Sequence, residues 1–187
     1  LLDENLNGEA LVRAKYQAYM RDYFACVAGV DENVGRLVQQ LKDDGLYDNT
    51  IVMFSSDQGF YLGEHGWFDK RWMYEESFRT PFVAKWKGVI EPGTVNEDLA
   101  QNIDFAPTFL DIAGVAAPED MQGESLVPLF KGQTPDDWRT SLYYHYYMVG
   151  HGTVRHEGVS DGKFKLIRLY GKKTKGEDVF EIYDLEK

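Results

Sequence analysis

The chain has 187 residues, 43% of them apolar and 14% aromatic, which is enough to bury a sizeable core and inconsistent with a disordered tail. A formal net charge of -11 disfavours nucleic acid as a partner, because phosphate backbones call for basic surface. The single cysteine leaves no internal disulfide and does not choose between cytoplasm and periplasm, and no apolar run approaches the roughly 20 residues of a membrane helix.

From Tyr16 onward Met20, Tyr23, Val27, Val30, Val34, Leu37 and Leu41 alternate steps of four and three, the pattern of one amphipathic helix that Gly45 can close. Cys26 falls on its apolar face and reads as a small buried core residue. Asp48-Asn49 then turns the chain into a strand over residues 50–55, whose unbroken apolar character suits burial on both faces of a parallel sheet. Residues 59–80 show no clean period and read as a functional loop with a short helical turn near 73–77. A strand resumes at 81–86, Pro92-Gly93 marks a turn, and residues 102–113 have helical spacing closed by Gly114. A soft domain boundary is placed near Gly132, dividing 1–132 from 133–187. Beyond it, residues 141–149, 152–160, 163–170 and 179–183 read as short strands rich in tyrosine and valine, with Asp161-Gly162 as a hairpin turn.

The stretch Ser55-Ser56-Asp57-Gln58-Gly59-Phe60-Tyr61-Leu62-Gly63-Glu64-His65-Gly66-Trp67-Phe68-Asp69-Lys70 carries the chemistry. The apolar run before it delivers Asp57 and Gln58 to the end of a strand, where ligands gather in α/β sheets, and both offer oxygen to a hard cation. An oxygen-rich, thiolate-poor set argues against zinc. Lys70 is a compact cation suited to hold an anionic ester beside such a metal.

This stretch resembles the later metal motif of the type I sulfatases of the alkaline phosphatase superfamily, Ser-Asp-(His/Asn/Gln)-Gly followed by Gly-Glu-His and Lys. Asp31-Glu32-Asn33-Val34-Gly35, Asp48-Asn49-Thr50-Ile51, Arg79-Thr80-Pro81-Phe82, Asp104-Phe105-Ala106-Pro107-Thr108 and Ile182-Tyr183-Asp184-Leu185 resemble further sulfatase landmarks in family order. The resemblance implies the C-terminal part of an alkaline-phosphatase-like α/β sandwich, a mainly parallel sheet flanked by helices, plus a small antiparallel C-terminal subdomain. It departs in one respect. The family nucleophile, a Cys or Ser within Cys/Ser-X-Pro-Ser/Ala-X-Arg that is oxidised to formylglycine, has no counterpart: Ala25-Cys26-Val27-Ala28-Gly29 lacks the proline and arginine. The chain therefore reads as the C-terminal portion of a longer enzyme, inactive in isolation.

What the resemblance implies for the intact enzyme is hydrolysis of a sulfate monoester, with a sulfated carbohydrate such as a glycosaminoglycan as substrate. Asp57 and Gln58 would help hold Ca2+, and Lys70 would offset charge on the sulfate or the leaving oxygen. His65 would contact sulfate, donate a proton or merely brace its loop; Arg71 and His156 are candidate substrate contacts. Each has a plainer reading, as a surface ion pair for Arg71 and as a surface or core histidine for His156. Glu64, Glu75 and Glu76 would order Lys70 or Arg71, or be solvated, and Tyr143, Tyr144, Tyr146 and Tyr147 alternate across a strand near His145 and His151. A formylglycine-generating or sulfatase-maturing enzyme is the implied partner, and a periplasmic or secreted location the implied compartment. The rival readings are a phosphomonoester or phosphonate hydrolase of the same superfamily and a non-catalytic module that binds sulfated glycans.

Overall fold

The computed structural model describes residues 5–150 and 152–187, so His151 lies outside the described residues. The chain divides into two compact units, Leu1–Ile51 and Val52–Lys187. Helix α1 (Gly8–Asp43) makes up most of the first. It begins a little over two turns ahead of the periodic run, where a Glu9–Arg13 pair one turn apart supports it, with Arg13 Nη2 2.7 Å from the carboxylate. It ends as expected: the Leu46 amide reaches back to Leu41 O and that of Gly45 to Lys42 O, a Schellman closure that needs Gly45 at φ 69°. No residue of α1 is buried, so the expectation of a buried Cys26 is corrected; its thiol is exposed because its face meets no second packing layer within this unit.

The second unit starts with β1 (Val52–Ser55), which pairs antiparallel with β2 (Phe82–Lys85), Val52 opposite Lys85 and Ser55 opposite Phe82. The described residues hold no parallel partner for β1, and Phe54 is 41% exposed, so the strand is not buried on both faces here. Between the two strands lies the short helix α2 (Glu75–Phe78), close to the turn expected at 73–77. Helix α3 (Phe105–Ile112) follows a 3₁₀ turn at Asn102–Asp104, and α4 (Val127–Phe130) packs beside it.

The N-terminus of α3 is held by a buried acid. Asp104 is 0% exposed; its carboxylate accepts the amides of Gln101 (2.7 Å) and Glu124 (2.9 Å) and takes both terminal nitrogens of Arg139. The Thr108 hydroxyl donates to Asp104 O and accepts from the Leu126 amide, so the Asp-Phe-Ala-Pro-Thr landmark is a capping and packing device. Contacts of this kind cross residue 132: besides Arg139 to Asp104, Thr134 donates to Asp98 and the Trp138 indole to Leu99 O.

The rest is an antiparallel meander of β3 (Leu142–Tyr146), β4 (Arg155–Ser160), β5 (Phe164–Tyr170) and β6 (Val179–Asp184), in that spatial order. Alternate residues of β4 and β5 are buried: His156, Gly158 and Ser160, then Lys165 and Ile167. This face lies on the end of the loop between β1 and α2. A Cβ on Gly158 would meet Met73 Sδ at 2.5 Å, and Trp72 stacks on the His156 ring at 5.0 Å. The α/β arrangement with a small antiparallel subdomain thus follows the expected class.

Candidate active site

Strand β1 ends in a knot of hydrogen bonds. Ser55 Oγ donates to Pro81 O at 2.9 Å and ties the strand end to the start of β2, while Ser56 Oγ donates to Gln58 O at 2.9 Å and tightens the turn. Asp57 projects into solvent, and its backbone carbonyl accepts from Asn102 Nδ2 at 2.9 Å. The Gln58 amide nitrogen donates to both oxygens of Ser77, to the carbonyl at 2.7 Å and to Oγ at 2.9 Å. With both amide hydrogens so committed, Oε1 is left as the free acceptor end of the amide.

The next residue is glycine for a steric reason. The Gly59 amide donates to Ser77 O at 3.0 Å, and a Cβ at this position would lie 2.2 Å from Glu76 O and 2.7 Å from Arg79 O. Backbone lies against backbone here, which only glycine allows.

From Tyr61 the chain runs out and back as a narrow loop, with the Tyr61 amide on Asp69 O (2.8 Å) and that of Gly63 on Trp67 O (2.9 Å). Tyr61 is 0% exposed and its hydroxyl donates to Trp72 O, which nails the base of the loop; burial pushes its phenol well above the ordinary range. At the tip His65 sits at φ 55°, an unusual conformation for a residue with a side chain. Its Nε2 lies 3.2 Å from a Glu76 carboxylate oxygen and its ring rests 4.8 Å from that of Tyr74.

Lys70 closes the loop. Its carbonyl accepts from Ser77 Oγ at 2.5 Å, while its exposed ammonium has no hydrogen-bond or ion-pair partner among the described residues. One buried serine therefore holds both the Gln58 amide and the Lys70 backbone. The carboxylates that were candidates to order Lys70 and Arg71 do other work: Glu76 faces His65 and Glu75 faces Lys165. Arg71 pairs with Asp69, whose hydrogen bond is the main cause of its raised pKa.

His156 lies away from solvent, 0% exposed, enclosed by the rings of Trp72, Tyr144 and Tyr146. Its Nδ1 lies 2.9 Å from Val154 O, its Nε2 has no partner among the described residues, and burial holds its pKa below the ordinary value. This is the environment of a neutral core imidazole. Tyr143 and Tyr147, by contrast, are largely exposed on the opposite face of the sheet.

Two anchors had no signal of their own in the sequence. Ser77 is a lone serine between charged and aromatic residues, and Lys165 reads as an ordinary surface lysine until register places it inward. Lys165 is 1% exposed, donates to Met73 O at 2.7 Å, pairs with Glu75 and lies over the Phe78 ring; burial is the main influence lowering its pKa.

The donor set suits a hard cation: a solvent-facing carboxylate and an amide oxygen turned outward by its own hydrogen bonds. Among the described residues no three His, Cys, Asp or Glu side chains converge as a metal site. Asp57 and Gln58 thus present two oxygen donors and do not by themselves complete a metal site among the described residues.

A family model described as Sulfatase matches residues 3–115, and one described as N-sulphoglucosamine sulphohydrolase, C-terminal, matches residues 63–187. An N-acetylglucosamine-6-O-sulfatase of Bacteroides thetaiotaomicron is 50% identical over 186 residues, covering 97% of this chain and 33% of its own length. A solved structure of a protein in complex with its substrate D-glucosamine-2-N,6-O-disulfate superposes with a TM-score of 0.90 at 49% identity, covering 97% of this chain and 37% of that one. A phosphonate monoester hydrolase from Silicibacter pomeroyi superposes at 0.81 with 25% identity, again over 97% of this chain and 37% of the other. The chain spans about a third of the length of these relatives.

Proposed function

Because this chain belongs to the sulfatase family, we propose that the whole protein hydrolyses sulfate monoesters of carbohydrates, glucosamine 6-sulfates foremost among them. The observation that carries the reading is Ser77, which ties the Gln58 side chain, next to Asp57 in the chain, to the backbone of Lys70, whose ammonium has no hydrogen-bond or ion-pair partner among the described residues. A hard cation together with an ammonium is what an anionic ester requires for binding and for charge relief as its bond breaks.

Asp57 and Gln58 would hold calcium, which when bound supplies Lewis acidity and a template for the ester oxygens. Lys70 has no ion pair to give up among the described residues, so its ammonium is available to bind a sulfate oxygen and to offset charge as the leaving oxygen develops it. His65, braced by Glu76 through Nε2, keeps Nδ1 for a proton directed at that leaving oxygen. Arg71 retains guanidinium donors beyond the one on Asp69 and is assigned a contact to the substrate. His156 is set apart from this group by its burial: a sugar would reach Nε2 only by parting the surrounding rings. Maturation to formylglycine by a dedicated enzyme and an exported location complete the proposal on family grounds.

The test is sulfate release by the full-length protein, produced with a formylglycine-generating enzyme, on glucosamine 6-sulfate, other sulfated sugars and aryl sulfates. Release from the 6-sulfate supports the reading. Cleavage of phosphate or phosphonate esters in its place would move the protein to the hydrolase class of its 25%-identical structural relative.

A further inference from the structure

We propose that Ser77 is a positioning residue that sets the cation affinity of the Asp57–Gln58 pair by fixing which end of the Gln58 amide faces the metal; this rests on the metal-site reading above. A glutamine amide is nearly symmetric in shape, and its two ends are opposite in charge character. One end coordinates a cation and the other repels it, so an amide free to flip presents the wrong end part of the time.

The hydrogen bonds at Ser77 remove that freedom. Its hydroxyl has one proton, and that proton is spent on Lys70 O at 2.5 Å. What Ser77 Oγ and Ser77 O then present to residue 58 is lone pairs alone, at 2.9 and 2.7 Å from the amide nitrogen. Only a donor satisfies both, so the NH2 group must point at Ser77 and Oε1 must point away. The same arithmetic accounts for an amide at position 58: a glutamate there would set its carboxylate against two acceptors.

The anchor is rigid. Ser77 is 1% exposed, its amide donates to Tyr74 O at 3.1 Å, and its carbonyl also takes the Gly59 amide. The helix carrying it is pinned from the meander by Lys165 on Glu75 and Met73 O, and by the Tyr74 hydroxyl on Glu181 at 2.9 Å. Outer partners that orient ligands are worth about 10- to 100-fold in metal affinity.

The experiment is calcium titration calorimetry on the full-length protein and its Ser77→Ala, Asp57→Ala, Ser77→Thr and Ser77→Val variants, with calcium-free melting recorded for each. Ser77→Ala is expected to weaken calcium binding about 10-fold, and the loss of its buried hydrogen bond to Lys70 O also lowers its calcium-free melting. Thr and Val match in shape and differ in the hydroxyl, so packing cost cancels between them; the Thr variant is expected to bind calcium about 10-fold more tightly than the Val variant. Unchanged affinity in Ser77→Ala, or equal affinity in Thr and Val, alongside a loss in Asp57→Ala overturns the role of Ser77 and leaves the metal site standing. Unchanged affinity in Asp57→Ala as well overturns the metal-site reading and this inference with it.

Discussion

Replacing Asp104 by alanine tests how the region behind the site is held. The carboxylate is 0% exposed and is the acceptor for four donors: two nitrogens of Arg139, itself 13% exposed at the side chain, and the amides of Gln101 and Glu124. Removing one member of a buried ion pair leaves the other charge uncompensated, at about 3–5 kcal/mol. The two orphaned amides add about 1 kcal/mol each when water cannot reach them. These contributions overlap, because an alanine-sized gap admits some water, and the net loss expected is about 4 kcal/mol. Asp104→Asn keeps an acceptor and loses the charge, and is expected to cost about half as much. A joint Asp104→Leu and Arg139→Met replacement removes the stranded charge and leaves the amides, so it should cost about 2 kcal/mol, less than Asp104→Ala alone. Urea unfolding of the full-length variants, followed by tryptophan fluorescence, measures all three. A loss under about 1 kcal/mol for Asp104→Ala, or a double variant worse than the single one, would refute the claim that a buried charge pair anchors this end of α3.

Other consequences are equally direct. Gly59→Ala forces a methyl into carbonyl oxygens 2.2 to 2.8 Å away, so it is expected to cost about 1–3 kcal/mol and to weaken calcium binding by displacing Ser77; unaltered melting and affinity would contradict the steric reading. His156 has a folded pKa below its ordinary 6.5, so the unfolded chain takes up a proton that the buried ring resists. Stability should be level above about pH 7 and fall as pH drops through 6.5, by up to about 1.4 kcal/mol per pH unit. His156→Phe should flatten that slope between about pH 5.5 and 7; an unchanged slope would place the titrating group elsewhere. The isolated 187-residue chain is expected to self-associate, because Val12, Phe24, Val30 and Leu37 are all more than half exposed along α1. A monomer on size-exclusion chromatography would count against this.

Much of the fold was legible because its signals are local. The alternating steps of four and three predicted α1, and Gly45 and Gly114 marked two helix ends whose backbone hydrogen bonds are those of a Schellman closure. Period-two runs and Asp161-Gly162 predicted the meander to within a few residues at each strand end. The pairing of β1 was not legible, since an unbroken apolar strand looks the same whichever neighbour it meets, and here β2 is antiparallel to it. In the site, Asp57, Gln58 and Lys70 stood out by type and spacing. Ser77 and Lys165 did not: each acts through partners far along the chain, Lys165 reaching Glu75 ninety residues away, and nothing in a single sequence marks which serine or lysine will be buried. The same gap explains Glu75 and Glu76, for which the sequence leaves both a role toward Lys70 or Arg71 and plain solvation open, and which the fold commits to Lys165 and His65.

The central claim is that the turn carrying Asp57, Gln58 and Lys70 is half of a sulfate-ester-cleaving site. Its most direct test is kcat/KM for glucosamine 6-sulfate with the matured full-length protein and its Lys70→Ala variant, alongside the melting temperature of each. The account predicts sulfate release by the unaltered protein and a fall of about 10²- to 10³-fold in the variant with melting unchanged, because the exposed Lys70 ammonium has no hydrogen-bond or ion-pair partner among the described residues. Equal turnover by the two proteins, or none by the unaltered one, would contradict it.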